Sequence, residues 1–386
     1  MKNQKPKIIR TATVPLSLDI FCRGLFKSLS EEYEMVALSS PLPELWRIHE
    51  RERVRTIAVP MKRQIAPASD LVSLVRLRRV FREEKPDMVH SITPKAGLLS
   101  MMAARAAGVP VRVHTFTGLI FPYEKGWKHR LLRLTDRITA ACATHVVPEG
   151  EGVKDDLINY GVTKKPMQVL GNGNVRGVDL NYYQCTDEMK RRGLELREML
   201  GIPKKDFVFL FVGRFDRDKG LEELVRAFYR INSRYPGTHL LLAGEEENGG
   251  KRLPEVVKNM IDMHPCIHSS GAWTLDVRPW YAAADALVHP SYREGFPNVV
   301  IEAGAMGLAS IVTDINGSRE IIVQGRNGVI VPPHDEKALY REMTSFVRDR
   351  DRVRSMAAKA RPLVSKRYEQ QYVRQCLADF YSEILK

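Results

Sequence analysis

Two stretches of this chain hold residue types at spacings that could do chemistry. The first is Ser291–Gly307, SYREGFPNVVIEAGAMG, in which Glu294 and Glu302 stand eight positions apart. Gly295, Phe296 and Pro297 make a turn between them, and proline suits the first turn of a helix. From Asn298 the pattern is helical and apolar almost all round, so the helix is expected to be buried. A carboxylate there, Glu302, costs several kcal/mol unless it is paired or hydrogen-bonded. Its partner is either a core arginine or backbone N–H, or the hydroxyls of a sugar, since an ionised carboxylate accepts two hydroxyl protons at once. The opening N–H groups at Asn298 and Val299 would then face an anionic part of the same ligand. The second stretch is Gly213–Gly220, GRFDRDKG, between an apolar run and a helical one. Arg214 and Lys219 are placed either to meet a diphosphate, one as a planar fork and one as a point charge, or to form a solvated loop. The stretch is not a Walker loop, which would need G-x4-G-K-[ST]. Asp216 and Asp218 are formally D-x-D, and inside this loop they read as a polar turn.

The elements that must carry these residues alternate between strand and helix. Lys7–Val14, Met35–Ser40, Val54–Pro60, Asp87–Ser91 and Val111–Phe116 read as strands. Between them lie helical stretches at Asp19–Glu32, at Ala68–Glu84, with Leu71, Leu74, Val75 and Val80 on its apolar side, and at Ala96–Ala107. The alternation restarts at Asp206–Gly213, an almost purely apolar run of the kind that fills a central parallel strand. Thr238–Ala243, Ile267–Ser270, Ala286–His289, Ser310–Thr313 and Gly328–Val331 continue it. Such alternation predicts an α/β chain built from two doubly wound, Rossmann-like domains. The expected bounds are 1–183 and 184–367, with 368–386 as a C-terminal helix crossing back to the first domain. In open α/β sheets ligands bind at the carboxyl ends of strands, which is where Arg214 and Lys219 fall.

Composition agrees with two domains. A chain of 386 residues with 44% hydrophobic and 27% charged residues is neither disordered nor membrane-embedded. No run approaches the ~18 apolar residues of a spanning helix. Pro15, Ser17 and Asp19 interrupt the segment after the basic N-terminus, so no secretory signal is expected. Five scattered cysteines without a C-x-x-C pair read as idle thiols in a reducing cytoplasm. The formal net charge is +14, and most of the excess lies in the first 180 residues. An anionic partner or a merely solubilising surface would explain it equally well. Within that half, Glu124–Thr139 sets Trp127 among Lys128, Arg130, Arg133 and Arg137, which fits either a helix lying on an anionic membrane or ordinary core amphipathicity. His90 and His289 close apolar strands and His114 lies within one, and these three and His145 read as structural histidines. Trp273 and Trp280 read as packing around a helix start, with base stacking as a second role for Trp273.

The motifs VGRF-DRDKG and HPSYREGFPNVVIEAGAMGLASIVTDINGSREII together resemble the nucleotide-sugar glycosyltransferases of the GT-B fold, family four. FREEKPDMVHSITPKAGLLSMMAARAAGVPVRVHTFTG and VLGNGNVRGVDLNYY are similar to the bacterial capsular and exopolysaccharide branch, so the resemblance covers nearly the whole chain. It implies two domains facing a cleft, donor on the second and acceptor on the first. Glu302 would bind the ribose and Glu294 the transferred sugar, with Gly295, Phe296 and Pro297 touching that sugar and Asn298 and Val299 the phosphates. Arg214 and Lys219 would hold the diphosphate and stabilise the leaving group. Glu294, Arg214 and Lys219 are thus the candidate catalytic residues, while Gly244, Glu245 and the Ser270–Trp273 turn, through Ala272, would flank the base. For the acceptor the candidates are Ser17, Lys95, Thr117 and Gly118. Two features depart from the family: the first loop lacks a glycine pair, and Thr117 stands where many relatives carry a histidine.

The implied reaction is retaining transfer of a hexose-type sugar from a nucleoside-diphosphate sugar to a lipid-linked saccharide. No cofactor or divalent metal is expected. The implied partners are the donor, the acceptor and an anionic inner-membrane surface, with the protein peripheral on its cytoplasmic face. A nucleotide-sugar epimerase or hydrolase of the same fold is the near alternative. A basic nucleic-acid-binding protein is the distant one; it lacks any recognisable binding motif and leaves Glu302 unexplained.

Overall fold

Apolar strands separated by amphipathic helices fold into two six-stranded parallel sheets. The computed structural model describes residues 5–246, 252–272 and 274–386. The first sheet contains β1 (Lys7–Thr11), β2 (Glu34–Ser39), β3 (Arg55–Ala58), β4 (Met88–Ile92), β5 (Val111–Phe116) and β6 (His145–Pro148). The second contains β7 (Phe207–Val212), β8 (Thr238–Ala243), β9 (Ile267–Ser269), β10 (Ala286–His289), β11 (Ala309–Thr313) and β12 (Gly328–Val331). The orders are β3-β2-β1-β4-β5-β6 and β12-β11-β10-β7-β8-β9, the same doubly wound pattern twice. Each reverses direction beside its first strand, between β1 and β4 and between β7 and β10. The family's Rossmann-like expectation for both halves is met.

The chain divides into one unit of residues up to Arg176 plus Gln371–Lys386, and a second of Gly177–Gln370. The divisions lie at 176/177 and 370/371, where the sequence suggested 183/184 and 367/368. Backbone pairing explains the difference. Val178 donates to the Tyr368 carbonyl and Gln370 to the Val178 carbonyl, which ties both connecting strands to the second unit. The helix Gln370–Ile384 then supplies Leu377, Phe380 and Tyr381 to the first unit's core.

Two local expectations are corrected. The single helix over Asp19–Glu32 is two, Pro15–Phe21 and Leu25–Leu29, because Gly24 takes φ 72° between them. In the helix Pro67–Glu84 the buried seam is Ser73, Leu77 and Phe81. Leu71 and Val75, expected on the core side, are 63% and 62% exposed. Ser73 can occupy the seam because its hydroxyl donates to the Pro60 and Ser69 carbonyls. The four-residue β6 went unread.

Candidate functional site

The second unit gathers its chemistry at the carboxyl ends of β7, β8, β9 and β10. Gly213 and Gly244 end β7 and β8 with φ of 153° and 152°, and a Cβ on Gly244 would collide with the Gly213 carbonyl. Only glycine allows strand ends to pinch this closely. Phe215 N–H donates to the Glu245 carbonyl at 2.8 Å. Gly244 N–H donates to Ser270 Oγ at 3.0 Å, and that hydroxyl lies 2.9 Å from the Ala272 carbonyl. Glu245 and Ala272 are exposed beside the loop that begins at Arg214. Trp273 lies outside the described residues.

The loop after β7 and the turn after β10 flank the reversal point and are braced together. Lys219 forms an ion pair with Glu294 Oε1. Arg293 Nη2 lies 2.7 Å from Asp218 Oδ2, and Tyr292 N–H donates to the Asp218 carbonyl at 2.8 Å. Gly220, at φ 68°, sits against the Pro290 carbonyl where a Cβ would clash. Arg214 is exposed at the rim, 3.4 Å from Asp216 Oδ2. Asp218 of the formal D-x-D is therefore held by Arg293, and Asp216 is buried within the turn.

Glu294 Oε1 also lies 3.1 Å from His289 Nε2, which is 3.1 Å from Ser291 Oγ. Burial alone would raise the carboxyl's pKa. The Lys219 charge and the His289 contact outweigh that and hold it well below the usual carboxylate range. Burial keeps His289 below the ordinary histidine value, with Glu294 opposing that shift in part. Glu302 is 7% exposed in the helix Asn298–Ala305, and its Oε2 accepts the Tyr281 hydroxyl at 3.1 Å. Pro297 caps that helix and Phe296 packs edge-on against Tyr368. Gly317, at φ 71°, presses on the backbone of Gly295 and Phe296. Asn298 and Val299 form the half-buried first turn. The structure thus brings Arg214, Lys219, Gly244, Glu245, Ala272, Glu294 to Val299 and Glu302 onto one edge of one sheet. His289, Ser291, Asp218 and Arg293 were missed as members. Their sequence signal was position alone: Asp218, Ser291 and Arg293 lie inside the stretches Gly213–Gly220 and Ser291–Gly307, and His289 just before the second.

In the first unit, Ser17, Lys95, Thr117 and Gly118 follow β1, β4 and β5. Lys95 is committed, with Nζ 2.7 Å from Asp70 Oδ2 and bonded to the Gln64 carbonyl. Ser17, Thr117 and Gly118 are half-buried. Thr13 and Thr93, unread in the sequence, join their hydroxyls at 3.0 Å. Thr93 holds φ 81°, a strained value for a β-branched residue. His114 and His90 are buried, with His90 between Tyr381 and Thr115.

The basic stretch lies in the helix Gly126–Cys142. Arg133 donates to the Tyr160 carbonyl at 2.7 Å and Arg137 to Gly161 at 2.9 Å, closing the end of the helix Glu151–Asn159. Lys128 pairs with Glu124 at 3.0 Å. Trp127 is 70% exposed and Arg130 is also exposed. Among the described residues, no helix is long and apolar enough to cross a membrane.

Comparison with known proteins gives a consistent picture. The family model described as glycosyl transferases group 1 matches residues 194–362, and that of the glycosyl transferase 4-like domain matches residues 21–173. The chain is 31% identical to the capsular polysaccharide biosynthesis glycosyltransferase CapM of Staphylococcus aureus, over 100% of this chain and 99% of that protein. It is 29% identical, over 74% of this chain and 72% of the other, to an Escherichia coli UDP-Gal:alpha-D-GlcNAc-diphosphoundecaprenol alpha-1,3-galactosyltransferase. The crystal structure of Anabaena HepE in complex with UDP superimposes with a TM-score of 0.81 at 18% identity, covering 98% of this chain and 100% of that one.

Proposed function

The chain belongs to the group 1 glycosyltransferases of the GT-B fold, and we propose that it moves a hexose-type sugar from a UDP-sugar to a lipid-diphosphate-linked saccharide with retention of anomeric configuration. The observation that carries this reading is the brace between the loop of Arg214 and Lys219 and the turn of Glu294, set beside the helix that holds Glu302. Arg214 and Lys219 supply positive charge where a diphosphate leaving group develops negative charge. The dipole of the helix starting at Asn298 adds to it. Glu302, one turn further along that helix, accepts the ribose hydroxyls, with Tyr281 fixing its other contact. Glu294 accepts a hydroxyl of the transferred sugar. With the charge so provided by the chain, no divalent metal is required.

Support for the donor and acceptor classes comes from relatives. One is named for UDP-galactose and a diphosphoundecaprenol acceptor, and one neighbour of the same fold binds UDP. On the first unit, Ser17, Thr117 and Gly118 serve the acceptor, while Lys95 orders the site through Asp70. Contact with an anionic membrane would use Trp127, Arg130 and Leu134, together with Leu71, Val72 and Val75 of the helix Pro67–Glu84. Both helices pack against the helix Pro94–Ala107.

The test is a transfer assay with UDP-glucose, UDP-galactose, UDP-N-acetylglucosamine, UDP-N-acetylgalactosamine and GDP-mannose. The acceptor is N-acetylglucosamine on undecaprenyl diphosphate, and product is read by mass spectrometry with and without EDTA. One UDP-sugar is expected to give a lipid-linked disaccharide at the same rate in EDTA. Release of free sugar alone, or an epimerised donor, would overturn the transfer reading.

A further inference from the structure

We propose that His289 is a positioning residue for Glu294, holding one carboxylate oxygen so that the other is presented to the transferred sugar. The inference rests on the reading of Glu294 as the carboxylate that meets that sugar. Its own observations are geometric. His289 closes β10, is 1% exposed, and stacks on Phe211 of β7 with ring centroids 6.4 Å apart and an interplanar angle of 15°. Its Nε2 faces Glu294 Oε1 and Ser291 Oγ at 3.1 Å each, and its Nδ1 has no hydrogen-bond partner among the described residues.

The tautomer follows from these contacts. An ionised carboxylate only accepts, so the proton must sit on Nε2, where it is donated to Glu294. The other tautomer would set two lone pairs face to face and leave a buried N–H with nothing to bond. Nδ1 is therefore the bare nitrogen. Glu294 Oε1 then takes hydrogen bonds from both Lys219 and His289, while Oε2 makes none with the described residues. The arrangement divides the carboxylate: one oxygen is anchored from below by β10 and from the side by the loop after β7, and the other is left for a ligand hydroxyl. Lys219 can be drawn toward a bound diphosphate. His289, locked between Phe211 and the turn, cannot follow it, and so it keeps Glu294 oriented when the lysine moves. A carboxylate acting on charge that develops at the sugar must be held this way to favour the transition state over the ground state.

The experiment compares His289→Phe, which keeps the stack on Phe211 and removes the donor, with His289→Gln, whose amide can place an N–H near the Nε2 position. UDP affinity is measured by calorimetry. Turnover is measured with the nucleotide sugar that gives product in the transfer panel. Phe is expected to lower kcat by roughly 10- to 100-fold, the loss of one charge-assisted hydrogen bond. UDP affinity should stay within twofold and KM should change little. Gln should recover most of kcat.

A second readout needs no turnover. An NMR titration of the 13C-labelled Glu294 carboxyl, assigned through Glu294→Gln, is expected to show a higher midpoint in His289→Phe and a restored one in His289→Gln. The charged and titratable groups facing Glu294 are Lys219 and His289, with the Asp218–Arg293 pair adjoining, so the shift reports the removed contact. Unchanged kcat and midpoint in His289→Phe would overturn the proposal. So would equal losses of kcat and UDP affinity in both variants, since that is what simple loss of packing produces. A midpoint that moves in a protein giving no product with any donor would uphold the positioning and refute the transferase reading instead.

Discussion

Replacing Lys219 with methionine removes the cation from the brace while keeping most of its volume. Glu294 is then left in a site where its side chain is 17% exposed and, among the described residues, only His289 donates to it. Breaking a buried ion pair by removing one partner costs ~3–5 kcal/mol. The partial exposure of both groups, 15% and 17%, puts this one at the lower end, about 3 kcal/mol. For a unit of this size that is a fall of roughly 6–12 °C in Tm. Lys219→Met/Glu294→Gln removes the stranded charge together with the cation, and should recover about 2 kcal/mol of the loss; Glu294→Gln alone completes the cycle that gives the coupling energy of the pair. The pair also makes stability depend on pH. The Glu294 pKa is depressed in the folded wild type, so its stabilisation is present above the unfolded value near 4.3 and is lost as pH falls through the lower folded value. The single variant protonates its uncompensated carboxyl at higher pH, so its deficit relative to wild type narrows on acidification. Chemical denaturation at pH 7 and pH 5 measures all of this. If the single and double variants are equally stable at both pH values, Lys219→Met strands no charge and the brace is not what joins the two loops.

Acid should destabilise the folded chain through its neutral histidines. Burial lowers His268 to about 4 and His114 to about 3, so protons favour the unfolded state as pH falls below about 6.5, and stability drops toward pH 4; His268→Asn should flatten a denaturation series over that window, and an unchanged slope would count against it. Gly220→Ala forces a Cβ onto the Pro290 carbonyl at a positive φ and should separate the two donor loops, weakening UDP by at least tenfold; wild-type affinity would show that the loops need not touch. Trp127→Ala/Arg130→Gln should reduce sedimentation with anionic phospholipid vesicles while leaving UDP affinity intact. Arg133 and Arg137 are unsuitable probes, because they close a neighbouring helix; equal sedimentation of parent and variant would remove the membrane contact.

The sheet was legible because parallel strands buried on both faces read as apolar runs, as at Phe207–Val212. Strand β6 was not, since His145–Pro148 offers four residues and no contrast with the helix before it. Glu302 stood out as a carboxylate in an otherwise apolar helix. The pairing of Lys219 with Glu294 did not, because it joins residues 75 apart whose approach depends on how β7 and β10 lie side by side. The basic helix stayed undecided in the sequence for a related reason. Arg133 and Arg137 have the spacing of a membrane face, but carbonyls at the end of another helix, unseen in a local pattern, claim them. Leu71 and Val75 were set on the wrong side of their helix because a buried serine, satisfied by two carbonyls, holds the seam that hydrophobicity assigned elsewhere.

The central claim is that two glutamates on one edge divide the donor between them. Calorimetry with UDP on Glu302→Ala and Glu294→Ala, beside initial rates with the productive nucleotide sugar, tests it most directly. Glu302→Ala should weaken bare UDP by roughly 10- to 100-fold, since it removes a charged acceptor of two hydroxyls. Glu294→Ala should leave UDP affinity nearly unchanged and lower kcat by at least as much. Loss of UDP binding in Glu294→Ala with full binding in Glu302→Ala would contradict the assignment of ribose and sugar, and two folded variants with wild-type binding and rate would place the donor elsewhere on the chain.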